Sequence, residues 1–300
     1  MNLKFTLATL LTVAIIATST AQTPLWNGKG RIAISSDGNE HDHDDWAATP
    51  LSLALIAAKG LQDKMVLYTY SDHVWGSNQE MPLTYGMTAY EHMRESALGG
   101  AAQFGFDPAR FICAVDNAEV AYNALRDQIN LSSEENPLII IAAGPMQVVG
   151  EAINRSDVKC RRYVTVVSHS NWNDKHADAP HTKTYWDVHS GWTFQEMRDS
   201  FESAEGGAVT FARIVDQNGG KDYLGLNTLI AHFDWIKESS ARNNPRYKSG
   251  SWDWLYGRIA TCIKHGKNFD PSDAGMLIYI FTGVEKTNPD MAREIMENPL

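Results

Sequence analysis

Arg31-Ile32-Ala33-Ile34-Ser35-Ser36-Asp37-Gly38-Asn39-Glu40-His41-Asp42-His43-Asp44-Asp45-Trp46-Ala47-Ala48 is the stretch on which the fold turns. Its apolar run Ile32-Ala33-Ile34 has the character of a buried strand, and the segment from Leu51 to Lys59 that of a helix. Between them, residues 37–45 hold four aspartates and a glutamate in nine positions. So many carboxylates at a strand-to-helix junction repel one another unless a positive charge sits among them. A hard divalent cation is the usual partner of carboxylate oxygens. In open α/β sheets, ligands bind just beyond the carboxyl ends of the strands, so placement and composition agree. A solvated turn whose aspartates only cap the helix is the plainer alternative.

Outward from this junction, apolar runs of strand length alternate with segments of helical period. Strands are expected at 31–35, 65–70, 111–115, 138–142, 163–167 and 208–214, and helices at 46–59, 82–98, 118–129, 146–153, 193–203 and 224–238. That alternation predicts an α/β fold with a mostly parallel central sheet flanked by helices and a helical C-terminal part. No internal repeat or low-complexity linker divides the chain. Residues 169–192 form a long polar and aromatic loop with His169, Asn171, Trp172, Asn173, His176, His181, Trp186, His189 and Trp192. Loops of that length inside a compact domain are usually functional.

Residues 1–21 have the form of a signal peptide: Lys4, an apolar stretch over 5–17, and the small residues Ser19-Thr20-Ala21. The expectation is a periplasmic or secreted protein starting near Gln22, with residues 22–300 as one α/β domain and no membrane contact once the leader is removed. A net charge of −10 argues against nucleic acid as a partner, since a phosphate backbone needs a basic footprint. Cys113, Cys160 and Cys262 match no zinc pattern and leave room for one disulfide.

Two downstream segments bear on the acidic junction. In Leu138-Ile139-Ile140-Ile141-Ala142-Ala143-Gly144-Pro145-Met146-Gln147, a strand ends near Ala143, Gly144 permits a turn and Pro145 opens the next helix. The Ala143 carbonyl is then expected to be free at the sheet edge, where it would suit Ca²⁺. In Phe269-Asp270-Pro271-Ser272-Asp273-Ala274-Gly275-Met276, Asp270 or Ser272 is the expected N-cap, with Asp273 in the first helical turn.

With Asp44-Asp45, Gly144-Pro145-Met146-Gln147 and Asp273-Ala274 in this order, the chain resembles the inosine-uridine nucleoside hydrolase superfamily, in a divergent branch. The resemblance implies a nucleoside hydrolase-like fold that hydrolyses N-glycosidic bonds at a Ca²⁺ site, with Mg²⁺ the less favoured ion. It implies metal ligands among Asp42, Asp44, Asp45, the Ala143 carbonyl and Asp273, and catalytic carboxylates among Asp42, Glu40 and Asp44. The family's base position falls on Glu40 by strict spacing and on Asp42 if the loop carries an insertion. Ser272 stands where the family carries a histidine beside its late aspartate. Asn171 and Asn173 stand in for the family's sugar-contacting asparagines.

Read from its own surroundings, His73 in Ser71-Asp72-His73 follows the second strand at the same edge and is either a substrate contact or a local hydrogen-bonder. With Ser272 and the two asparagines it completes the candidate substrate-binding set. Asp116-Asn117 is expected to cap the helix over 118–129. Ser168-His169-Ser170 lacks the glycine elbow of a serine hydrolase. The partner expected is a small nucleoside or saccharide, with homo-oligomerisation left open. The alternative function is a carbohydrate-binding or carbohydrate-processing protein of the same fold that does not cleave nucleosides.

Overall fold

The computed structural model describes residues 23–38, 43–74, 86–175, 191–218, 225–262 and 268–300. Six strands, β1 (Arg31–Ser36), β2 (Met65–Tyr70), β3 (Phe111–Cys113), β4 (Leu138–Ala143), β5 (Val164–Ser168) and β6 (Thr210–Arg213), form one sheet in the order β3-β2-β1-β4-β5-β6. Every pairing in it is parallel. A parallel sheet is covered on both faces, so its central strands read as unbroken apolar runs. Every residue of β1 and β4 is buried. Because side chains alternate along a strand, Ile32 and Ile34 enter one core and Ala33 the other.

The helices along the chain are α1 (Asp45–Ala58), α2 (Ala89–Arg94), α3 (Gly100–Phe104), α4 (Ala118–Asn130), α5 (Gln147–Arg155) and α6 (Val158–Arg161). They continue as α7 (Asn171–Lys175), α8 (Phe194–Phe201), α9 (Trp235–Glu238), α10 (Ser251–Ala260), α11 (Ala274–Thr282) and α12 (Pro289–Glu297). All of α1 is buried, in keeping with its apolar composition. It lies against α10, α11 and α12, so the helical C-terminal part covers the first crossover. An antiparallel pair of short strands, β7 (Thr228–Leu229) and β8 (Asn268–Phe269), ties that part together.

The expected α/β architecture and its six strands are present, with local corrections. The helix expected over 224–238 is instead β7, a 3-10 turn at Ile230–Phe233 and the single turn of α9. Gly225 at φ +81° starts the described part of this segment in a conformation no helix continues. The helix expected over 82–98 begins at Ala89, where the Thr88 side chain accepts the Glu91 N–H and Glu91 reciprocates. It runs on through a π turn at Glu95–Gly99 into α3. Pro145 lies before the first residue of α5, Gln147. Asn117 caps α4 as expected, accepting the Val120 N–H at 3.3 Å. Cys113, Cys160 and Cys262 are free thiols. No helix among the described residues is long and apolar enough to cross a membrane.

The strand order reverses between β1 and β4, which opens a crevice at their carboxyl ends. A left-handed residue follows each of four strands at this edge: Gly38, Ser71, Gly144 and Ser170, at φ +81°, +55°, +110° and +75°. The two serines are the non-glycine residues with positive φ among those described. Such strain persists where surrounding structure over-determines it, and it clusters at functional sites. At Gly144 a Cβ would stand 2.6 Å from the Asp37 carboxyl carbon. Gly144→Ala is therefore expected to destabilise the fold by about 1–3 kcal/mol in urea denaturation. Gly257→Ala, in the interior of α10 with open space around it, is expected to stabilise by about 0.5–1 kcal/mol.

Candidate functional site

Asp44 and Asp45 enter the crevice because α1 starts there. Asp44 is the N-cap, its carboxylate accepting the Asp45 N–H at 3.2 Å. Asp45 turns back onto the sheet, where the Ser36 hydroxyl donates to its Oδ1. Ser36 also lies 3.4 Å from Thr49 Oγ1, which accepts the Tyr68 hydroxyl at 2.9 Å. Burial, followed by the charge of Asp45, holds the Tyr68 phenol protonated well above its ordinary range.

Asp273 arrives from the other side as the N-cap of α11, and its side chain makes no capping bond. This corrects the expected order, in which Asp270 or Ser272 caps and Asp273 lies inside the helix. Freed from capping, the carboxylate receives His169 Nε2–H at 2.6 Å. The other ring nitrogen accepts the Gln217 N–H at 3.3 Å when neutral and faces Asp216 Oδ1 at 3.6 Å when protonated. Burial works to lower the His169 pKa, yet Asp216 and Asp273 carry it up to about 9. His169 in turn draws Asp216 down to about 2.

One carboxylate oxygen from each of Asp44, Asp45 and Asp273 lies within 4.8 Å of the other two. At such a separation, two carboxylates repel by about 3 kcal/mol at an effective dielectric of ~20. Asp45 and Asp273 are buried, so water offsets little of that cost. An all-oxygen donor set of this charge fits a hard cation, Ca²⁺ or Mg²⁺. Beside it is a cavity of about 200 Å³ whose walls include Asp37, Asp44, Asp273, His169, Trp172 and Asn173. Asp37, the first residue after β1, is 1% exposed.

Of the residues singled out from sequence, the structure brings together Asp44, Asp45, Asp273 and Asn173, whose amide donates to Ser168 Oγ at 3.3 Å. Asn171 is exposed and lies on the Arg213 side of α7, 3.5 Å from that guanidinium. The Ala143 carbonyl is not free: it accepts the Asp37 N–H at 3.1 Å as the last rung between β1 and β4. Any ligand role for it falls to its second lone pair. His73 and Ser272 are buried at the same edge without lining the cavity. Glu40 and Asp42, with His176, His181, Trp186 and His189, lie outside the described residues.

Three residues of the site carry little or no signal in the sequence. Asp37 stands one position beyond the strand, but counting back from Asp44-Asp45 stops short of it, at Asp42 and Glu40. His169 and Asp216 have no local signature, since His169 meets Asp273 across 104 positions. His169, the residue after β5, comes to stand beside Asp273 in space although the two are far apart in the chain.

No family model matches the chain. It is 34% identical over 274 residues to the protein called uncharacterized protein P22 of Formosa agariphila, covering 89% of each chain. The chain belongs to the same family as that protein. Among solved structures, an inosine-uridine preferring nucleoside hydrolase from Bacillus anthracis aligns over 84% of this chain and 81% of its own, at 11% identity and a TM-score of 0.41. Likeness at that level says nothing of chemistry.

Just after β2, Asp72 is fully buried, with Oδ2 accepting the hydroxyls of Ser35 and, at 2.8 Å, Thr69. Burial raises its pKa from 3.8 to about 7, against the pull of those two bonds. The folded chain therefore holds this proton more tightly than the unfolded one. Its contribution to stability is complete below about pH 4 and is lost as pH rises through about 7. Relative to wild type, Asp72→Asn is expected to gain stability in urea melts between pH 4 and 7 and to level off above. A difference independent of pH would contradict this.

Proposed function

We propose that the protein is an exported, divalent-cation-dependent hydrolase of glycosidic bonds, acting on a nucleoside or a related small glycoside with adjacent hydroxyls. The observation that carries this reading is the convergence of Asp44, Asp45 and Asp273 at the strand-order reversal, where Asp44 and Asp273 line a small cavity. Those three carboxylates would hold the ion, with Ca²⁺ favoured because it tolerates irregular multi-carboxylate ligation. When bound, it would supply a Lewis-acid centre for vicinal hydroxyls and for a water of lowered pKa.

The remaining chemistry belongs to the chain. Asp37, buried at the cavity wall, would take the proton from an attacking water. His169 Nε2–H fixes the Asp273 carboxylate, and Gln217 and Asp216 fix the ring. With both nitrogens engaged, His169 holds its neighbours rather than protonating a leaving group. The surplus of carboxylates favours an oxocarbenium-like transition state electrostatically.

A second reading is favoured by Trp172, half-buried at the same cavity beside Asn173. A ring and an amide at one mouth suit the face and edge of a saccharide, as in a carbohydrate-binding or carbohydrate-processing protein without nucleoside cleavage.

Sugar release from inosine, uridine and nitrophenyl glycosides separates the two. Hydrolysis is expected to be abolished by EDTA and restored by Ca²⁺. Asp37→Asn is expected to lower kcat by about 10²–10⁴-fold, and Asp45→Ala to eliminate calorimetric Ca²⁺ binding. If none of these compounds is cleaved but an oligosaccharide raises Tm only in the presence of Ca²⁺, the second reading replaces the first.

A further inference from the structure

Among the covering helices stands a buried cation that the chemistry above does not use. Arg258 of α10 is 7% exposed; the Glu95 carboxylate acts on it through space, but among the described residues no carboxylate lies within ion-pair distance of it. Burial lowers its pKa to about 10. Burying a charge in this way is costly unless its hydrogen bonds are satisfied with precision elsewhere. The guanidinium spends its bonds on one place. Nε donates to Ser96 Oγ at 2.8 Å, while one terminal nitrogen donates to the His92 carbonyl at 3.0 Å and meets His92 Nδ1 at 2.8 Å.

Both recipients pass the constraint to Trp46. Ser96, in the π turn between α2 and α3, donates its hydroxyl to the Trp46 carbonyl at 2.7 Å. His92, its Nδ1 occupied, stacks on the Trp46 indole at 4.1 Å and 20°. The indole Nε1–H then donates to the Gly38 carbonyl at 2.5 Å. Trp46 directly follows Asp45, and Gly38 directly follows Asp37. One residue therefore joins both ends of the acidic segment, and the guanidinium braces it twice, through Ser96 on its backbone carbonyl and through His92 on its indole ring. Gly38 is closed in as well: a Cβ there would stand 2.5 Å from Met93 Sδ, on the same helix as His92. π turns of this kind occur frequently at functional sites.

We propose that Arg258 is a positioning residue for the acidic site, acting through Ser96, His92 and Trp46 on the carbonyl of Gly38. It sets the separation of the Asp37 and Asp45 carboxylates before any ligand arrives. The consequence for cation binding rests on the reading of Asp44, Asp45 and Asp273 given above; the consequence for the backbone does not.

The test uses the full protein and two readouts: calorimetric Ca²⁺ affinity, and amide hydrogen exchange of the metal-free protein at residues 36–38 and 44–47. Trp46→Phe keeps the stacked ring and removes the indole donor, and Ser96→Ala removes the bridging hydroxyl; Arg258→Met removes the source. Arg161→Met serves as the control, because Arg161 is a similarly buried arginine bonded to Ser156 and Asn154, outside this network. The proposal expects all three test variants to weaken Ca²⁺ binding by about 10-fold or more and to speed exchange in the acidic turn severalfold. Arg161→Met lowers Tm and leaves both readouts at wild-type values. Unchanged exchange in Trp46→Phe and Ser96→Ala overturns the proposal, as does an equal rise in Arg161→Met. A wild-type protein that binds no Ca²⁺ overturns the metal reading instead, and exchange alone then decides the role of Arg258.

Discussion

Repulsion among carboxylates is the constraint that the rest of this molecule answers. Asp37, Asp44, Asp45 and Asp273 meet where the sheet reverses its strand order, and three of them are buried. The fold does not dilute this charge with water. It gives the carboxylates partners in the protein: Ser36 on Asp45, the backbone of α1 on Asp44, His169 on Asp273. Each partner holds a carboxylate in place, and of these three only His169 brings positive charge. The carboxylates are held in fixed geometry beside a cavity. On the proposed reading, a site built this way is pre-organised for a cation and for a substrate whose transition state is positive.

The scaffold explains how such a site survives. β1 and β4 are buried along their whole length and α1 is buried on every side, so the carboxylates ride on the most deeply packed elements present. The cost appears at the strand ends, where two serines adopt left-handed backbone and Gly144 leaves room for Asp37 that no side chain would. Rigidity in the core and strain at the rim are two sides of one arrangement. The covering helices add a second layer, since α10 and α2 reach the acidic turn through Arg258, His92 and Trp46.

Much of this is legible in the chain. The six strands declare themselves as apolar runs because a parallel sheet covered on both faces demands them. The acidic junction is legible as the source of Asp44 and Asp45, two of the three carboxylates the fold gathers. What escapes is tertiary. The segment over 224–238 has apolar spacing that serves a short ladder and a 3-10 turn, and nothing local distinguishes those from a helix. Asn171 and Asn173 look equivalent in sequence, yet two helical steps turn them by about 200°, one to Arg213 and the other to the cavity. His169 acquires its meaning only when α11 brings Asp273 to it.

The central claim is that Asp44, Asp45 and Asp273 together bind one hard divalent cation. A crystal grown with Ca²⁺ and soaked in Mn²⁺, with anomalous scattering recorded at a wavelength where manganese is strong, tests it most directly. The account predicts a single strong peak in contact with oxygens of all three carboxylates, absent in Asp45→Ala. A map with no peak at those oxygens, or with the ion held elsewhere on the molecule, would contradict it.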